Sequence, residues 1–176
     1  MEEKNANCTK RTHGYTLVEL ITVLAIMGIL GTMLVSMLNT GIQFYRTADT
    51  AMDNQNNARL AMAYITVKIR QNDVANKISV MSTTDNSDNP IQVLKINDAS
   101  NVAGNTYFWI YVDTNTHKLR EQTGTTFNKV LENGKEIADL SSVDIEQPGA
   151  NIINIEVKSI DRSVDLSQVI TLRSSP

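Results

Sequence analysis

Tyr15–Leu38 reads YTLVELITVLAIMGILGTMLVSML, 24 residues in which Glu19 is the only formal charge. A helix over this run is roughly 36 Å long at about 1.5 Å per residue, enough to cross a hydrocarbon core of about 30 Å with some tilt. A buried core helix is usually shorter and polar on one face, so the run is read as a membrane span. Lys4, Lys10 and Arg11 precede it against Glu2 and Glu3, and no formal charge follows Glu19 until Arg46. The basic side stays in the cytoplasm, which places the N-terminus inside and everything after about Asn39 outside.

An ordinary secretory signal fits this run less well. The apolar stretch exceeds a usual signal core, and it ends in MLNTGIQFYR without a small-residue cleavage site. The small, flexible residue that would admit a protease is Gly14, between the basic leader and the apolar run. A cut there keeps the helix. Glu19 is the anomaly, because a carboxylate inside a span costs about 2.5–3.5 kcal/mol on insertion scales. It lies one helical turn after Tyr15. A cut after Gly14 gives Tyr15 a free α-amine, with an ordinary pKa of about 7.7–8.0 and so largely cationic at neutral pH. Between staggered chains, such a carboxylate and amine set axial register. Alternatively, Glu19 reaches the interface near the start of the span, where a carboxylate also suits the helix dipole. Position alone leaves both readings open.

The string Gly14-Tyr15-Thr16-Leu17-Val18-Glu19, followed by LITVLAIMGIL, resembles the prepilin leader and transmembrane helix of type IV pilins, pseudopilins and competence pilins. The resemblance implies that a prepilin peptidase cuts after Gly14 on the cytoplasmic side and methylates Tyr15. It implies that Glu19 serves subunit assembly, pairing with a neighbour's amine. The partners it implies are prepilin peptidase, other pilin or pseudopilin subunits, an inner-membrane assembly platform and the lipid bilayer. The implied location is the cytoplasmic membrane, single-pass, and then an extracytoplasmic pilus or pseudopilus. Such filaments serve secretion, DNA uptake, adhesion or motility, and all share this N-terminus. The chain departs from the family at two positions. Phenylalanine is usual where this chain has Tyr15, and many type IV pilins carry a helix-bending proline where it has Ser36, so a straighter helix or another route to bending is implied.

Beyond Thr40, Ala58, Met62, Ile65 and Ile69 recur at helical spacing with Ala61 beside them, while Asn56, Asn57, Lys68, Arg70 and Gln71 occupy other faces. This predicts an amphipathic helix through about Asn76, its apolar stripe docking a sheet. Asn39-Thr40-Gly41 is a candidate hinge or melting point, since glycine costs about 1 kcal/mol in a helix interior. MSTTDNSDNP, up to Pro90, reads as a solvated connector. Strand-like runs then begin at Ile91, Thr106, His117, Ser142, Asn151 and Val164. Ile153, Ile155 and Val157 share one face, as do Leu166, Ile170 and Leu172, which fits sheets wet on one side. Asp113–Thr116 predicts a hairpin turn. The expected organisation is a leader at 1–14, the transmembrane half of a long helix at 15–38, an amphipathic helix at 39–80 and an antiparallel sheet domain at 81–176. The fold class is therefore α+β, a long N-terminal helix packed on an antiparallel β-sheet, which the pilin resemblance also implies. The layout, NARLAMAYITVKIR and then short strands ending in VITLR, resembles minor subunits of the J or W type.

The remaining chemistry is sparse. With 16 basic and 19 acidic residues the chain carries a net charge of −3, and removing residues 1–14 leaves 13 basic and 17 acidic. General nucleic-acid binding is not expected from that balance. Cys8 is the single cysteine, so one copy builds neither a disulfide nor a cysteine zinc site, and His13 and His117 have no metal-binding spacing. Asp161, Asp165 and Glu156 match no dense calcium loop and read as solvated strand-end charges. His117 reads as a surface residue. Tyr107, Trp109 and Tyr111 share a strand face and are expected to pack against the helix, an exposed stacking surface being the alternative. No cofactor and no catalysis are expected. The function expected is assembly into a filament. The alternative is an uncleaved bitopic membrane protein with an extracellular binding domain, and a membrane-tethered enzyme is least supported because no paired catalytic groups stand out.

Overall fold

A computed structural model describes residues 14–73, 77–98, 100 and 106–173. The expected leader, apart from Gly14, and the expected helix end at Asn76 lie outside the described residues. The chain divides into two compact units, Met1–Thr47 and Ala48–Pro176. One helix, α1 (Leu17–Gln71), belongs to both. The strands are β1 (Ile78–Thr84), β2 (Pro90–Asn97), β3 (Tyr107–Asp113), β4 (Lys118–Gly124), β5 (Lys135–Asp139), β6 (Ser142–Gly149), β7 (Ile152–Lys158) and β8 (Asp165–Thr171). The architecture is α+β and pilin-like, a long N-terminal helix with antiparallel β-structure packed on its later turns.

Helix α1 runs through Asn39-Thr40-Gly41 without a break, so the helix is not melted at the candidate hinge. A single glycine costs about 1 kcal/mol, too little to interrupt a helix with helix formers on both sides. The Thr40 hydroxyl also donates to the Ser36 carbonyl at 3.0 Å. The helix ends at Gln71, where the Lys68 carbonyl accepts from both the backbone N–H of Asn72 at 3.3 Å and its side-chain amide at 3.0 Å. Ala58, Ala61, Met62, Ile65 and Ile69 are buried, as the spacing predicts, together with Asn54.

In the unit from Ala48 onward, the strands form two antiparallel sheets rather than one. One has the order β1-β2-β3-β4-β5 and the other β6-β7-β8. β1 corrects the sequence reading of this region. It pairs with β2 from Ile78↔Ile96 to Thr84↔Pro90, so residues 78–80 are strand and not helix, and Met81–Thr84 are strand and not connector. Strand pairing is made by the backbone, and a polar edge strand such as ISVMSTT shows little of it in its side chains. The connector shrinks to Asp85–Asn89, where the Asp85 carboxylate accepts from the Ser87 and Asn89 backbone N–H groups at 2.8 and 2.9 Å. The turn after Asp113 forms the expected antiparallel hairpin, β3 on β4, with Asp113 accepting from Asn115 N–H and the Thr116 hydroxyl. β5 was not foreseen, since KEIAD has too few apolar residues to show an alternation.

The five-stranded sheet is apolar on both faces. Ile78, Leu94, Ile96, Ile110 and Leu119 join the helix stripe and Ile145, Ile153, Ile155, Val157 and Ile170 of the smaller sheet in one core. Trp109 and Tyr111 lie on the opposite face with Ile91, Val93 and Leu131, and Tyr107 and Phe127 pack against them. The expectation that this aromatic stripe packs on the helix is therefore overturned. Phe108, Ile110 and Val112 take that side. What covers the stripe is the segment between β4 and β5. Arg120 secures that segment by donating to the Glu132 and Gly134 carbonyls at 3.1 and 3.0 Å while facing Asp113 at 3.3 Å. Gly134 lies so close that an added Cβ would run into the Tyr111 hydroxyl and reach 2.9 Å from Arg120 Cβ. The two sheets are joined at the Gln92 side chain, which bonds both backbone groups of Ile145.

Candidate assembly site at the start of the helix

Gly14 and Tyr15 are exposed and precede the first helical residue, Leu17. Thr16 is the residue that opens the helix: its carbonyl accepts from Leu20 N–H at 3.2 Å, and its hydroxyl oxygen accepts from Glu19 N–H at 3.3 Å. Glu19 returns the contact, its carboxylate accepting from Thr16 N–H at 3.3 Å and from the Thr16 hydroxyl at 3.4 Å. This reciprocal pair is a capping box, which satisfies two donors that a helix start otherwise leaves open, and the carboxylate lies at the positive end of the helix dipole. Sequence reasoning singled out Glu19 but missed Thr16. The signal was present as Thr-x-x-Glu directly before an apolar run. Gly14 and Tyr15 thus lie just before the helix and Glu19 in its first turn, with Thr16 as the residue that fixes the carboxylate.

The helix surface from this point to Thr47 is exposed and mostly apolar, with Asn39, Gln43 and Arg46 near its far end. Its hydroxyls are returned to the backbone: Thr22 donates to Val18, Thr32 to Ile29 and Thr47 to Gln43, at 2.8, 2.8 and 3.0 Å. In a lipid or protein environment without water, that arrangement leaves none of these three threonine protons seeking a partner. The helix is long and apolar enough to cross a membrane.

The other residues considered from sequence have local roles. Asp161 accepts from the Ser159 hydroxyl at 2.7 Å and from Ser163 N–H at 3.0 Å, and these bonds hold its carboxyl down to about 2. Glu156 pairs with Lys158 at 2.9 Å, while burial and then Glu156 itself push Asp165 above its ordinary value. Glu156 and Asp165 are neighbours, but among the described residues no group of three or more His, Cys, Asp or Glu side chains could hold a metal ion. His117 is exposed at φ 56° in the β3–β4 turn. A polar cluster that sequence reasoning missed lies under the helix: Glu121, 9% exposed, accepts from the Tyr64 hydroxyl at 2.7 Å and pairs with Lys68 at 2.9 Å. Lys68 Nζ also stands 3.7 Å from the Phe108 ring centre. This cluster pins helix to sheet, and burial, followed by the Glu121 bond, pushes the Tyr64 hydroxyl up.

Comparison with known families meets this geometry at both ends of the helix. The family described as Prokaryotic N-terminal methylation motif, the type IV pilin signature, matches residues 9–35 and so includes the capping box and most of the apolar run. Helix, signature and antiparallel sheets together define a type IV pilin-like protein. The chain belongs to the family described as Domain of unknown function (DUF4860), which matches residues 56–159, more than half of its length, from the docked part of α1 through β7. No curated protein and no solved structure gives a significant match. The methylation signature implies processing by a prepilin peptidase and assembly with other pilins, and the apolar helix fits a single-pass membrane anchor.

Proposed function

We propose that this chain is a minor pilin or pseudopilin, a structural subunit of a type IV pilus-like filament that works by assembly and not by catalysis. Its precursor is inserted with the N-terminus in the cytoplasm, cut between Gly14 and Tyr15 by prepilin peptidase, and methylated at Tyr15. The observation that carries this reading is the capping box at the head of an exposed apolar helix, within the methylation signature. Thr16 holds the Glu19 carboxylate at the helix start while leaving it exposed, so the cationic amine of a neighbouring subunit can approach it. Pairing there neutralises a charge that is costly inside a membrane-derived bundle, and it fixes one axial offset between adjacent chains.

The test is incorporation. In cells that carry a complete assembly machine, the wild-type subunit is expected in the sheared filament fraction, and Glu19→Ala is expected to be cut normally yet remain in the membrane. Wild-type subunit confined to the membrane beside filaments that assemble normally contradicts the proposal and favours an anchored binding protein.

A further inference from the structure

The apolar surface of α1 does not stop at Leu38. Ile42, Phe44 and Tyr45 continue it, and Phe44 and Tyr45 are 77% and 72% exposed. Arg46 then brings the first formal charge after Glu19. The outer part of this surface is a shallow groove lined by Leu34, Met37, Leu38, Ile42 and Tyr45, with Arg46 at its end. An apolar wall closing in an aromatic residue and a cation is the pattern found where a helix leaves the hydrocarbon and enters the headgroups.

The spacing of the aromatic ends supports this. From Tyr15 to Tyr45 the chain rises about 45 Å at roughly 1.5 Å per residue, against a bilayer of about 40–45 Å with its headgroup layers. A tilt of about 20° shortens the vertical span to about 42 Å. Leu30 is then midway, and a core of about 30 Å ends near Leu20 on one side and Thr40 on the other. This register leaves Glu19 and its capping box just outside the hydrocarbon, where the carboxylate is least costly.

We infer that Phe44 and Tyr45 form a membrane-interface anchor that binds the outer headgroup layer and, with Tyr15 at the opposite face, fixes the depth of the helix in the bilayer. The occupant is lipid because the surface continues the membrane span without a break and its length matches the full bilayer. A span ending at Leu38 would be centred near Met27 instead of Leu30. The inference rests on the membrane-anchor reading of the helix and not on cleavage at Gly14.

The experiment uses the full chain with Cys8→Ser, reconstituted at high lipid excess in phosphatidylethanolamine–phosphatidylglycerol vesicles. Single cysteines at Ile26, Leu30, Gln43 and Met52 carry a spin label whose depth is read from oxygen and nickel-chelate accessibility. The expected profile is deepest at Leu30, intermediate and headgroup-like at Gln43, and aqueous at Met52. In Phe44→Ala/Tyr45→Ala the deepest position is expected to move towards Ile26, by about one helical turn, or roughly 5 Å. A label at Gln43 as aqueous as the one at Met52, or an unchanged profile in the double variant, overturns the inference. Shielding of Gln43 that disappears as the protein is diluted in lipid also overturns it, since the occupant is then a second copy of the helix. None of these outcomes bears on whether the precursor is cut after Gly14.

Discussion

The Gln92 side-chain amide bonds both backbone groups of Ile145, donating to its carbonyl at 2.6 Å and accepting from its N–H at 2.8 Å. One side chain thereby acts as a strand partner for the edge of β6 and joins the five-stranded sheet to the three-stranded one. Gln92→Ala is expected to leave both groups without that partner and to cost about 1–3 kcal/mol. Gln92→Glu keeps the acceptor but sets a carboxylate oxygen against the Ile145 carbonyl, so at neutral pH it is expected to be no more stable than Gln92→Ala. Urea unfolding of the detergent-solubilised chain checks this, and a Gln92→Ala midpoint equal to wild type would show that the bridge is dispensable.

Glu121 fastens the later turns of α1 to the sheet through Tyr64 and Lys68. Removing one member of such a buried pair leaves the other uncompensated, so Glu121→Ala is expected to cost about 2–4 kcal/mol, the remaining exposure of Lys68 reducing the loss. Pairing the change with Lys68→Met is expected to recover part of it. A double-mutant cycle with strictly additive losses would mean that the two residues do not act together.

Two tyrosines make stability sensitive to alkali. Burial pushes the Tyr111 hydroxyl up to about 12 from an ordinary 10.0, and the Tyr64 hydroxyl is raised too. Their folded values exceed their unfolded ones, so their contribution is fully present below about pH 10 and is lost as pH rises towards 12. Unfolding free energy is expected to fall more steeply between pH 10 and 11 in wild type than in Tyr111→Phe. Parallel slopes for the two proteins would refute the assignment to Tyr111.

Much of this fold is legible in particular residues. Ile153, Ile155 and Val157 alternate cleanly because the smaller sheet has one buried face, and the stripe from Ala58 to Ile69 shows because one side of the helix is covered. The aromatic stripe of β3 misled for the complementary reason. Alternation separates Tyr107, Trp109 and Tyr111 from Phe108, Ile110 and Val112, yet it does not say what covers each face, and here both are covered. β1 and β5 stayed hidden as edge strands with few apolar side chains, and the Gln92 amide that links the two sheets leaves no mark in the alternation of either strand. At the helix start, Glu19 stood out by its charge, while Thr16, which positions it, required the Thr-x-x-Glu spacing to be read as a cap.

The central claim is that Gly14 and Tyr15 flank a processed bond at the head of an assembling helix. The direct measurement is the intact mass and N-terminal sequence of the chain co-expressed with a prepilin peptidase, wild type beside Gly14→Val. The account predicts a wild-type product that begins at N-methylated Tyr15, and a variant that keeps its full length. A wild-type chain left uncut, under conditions that process a known prepilin, would contradict it.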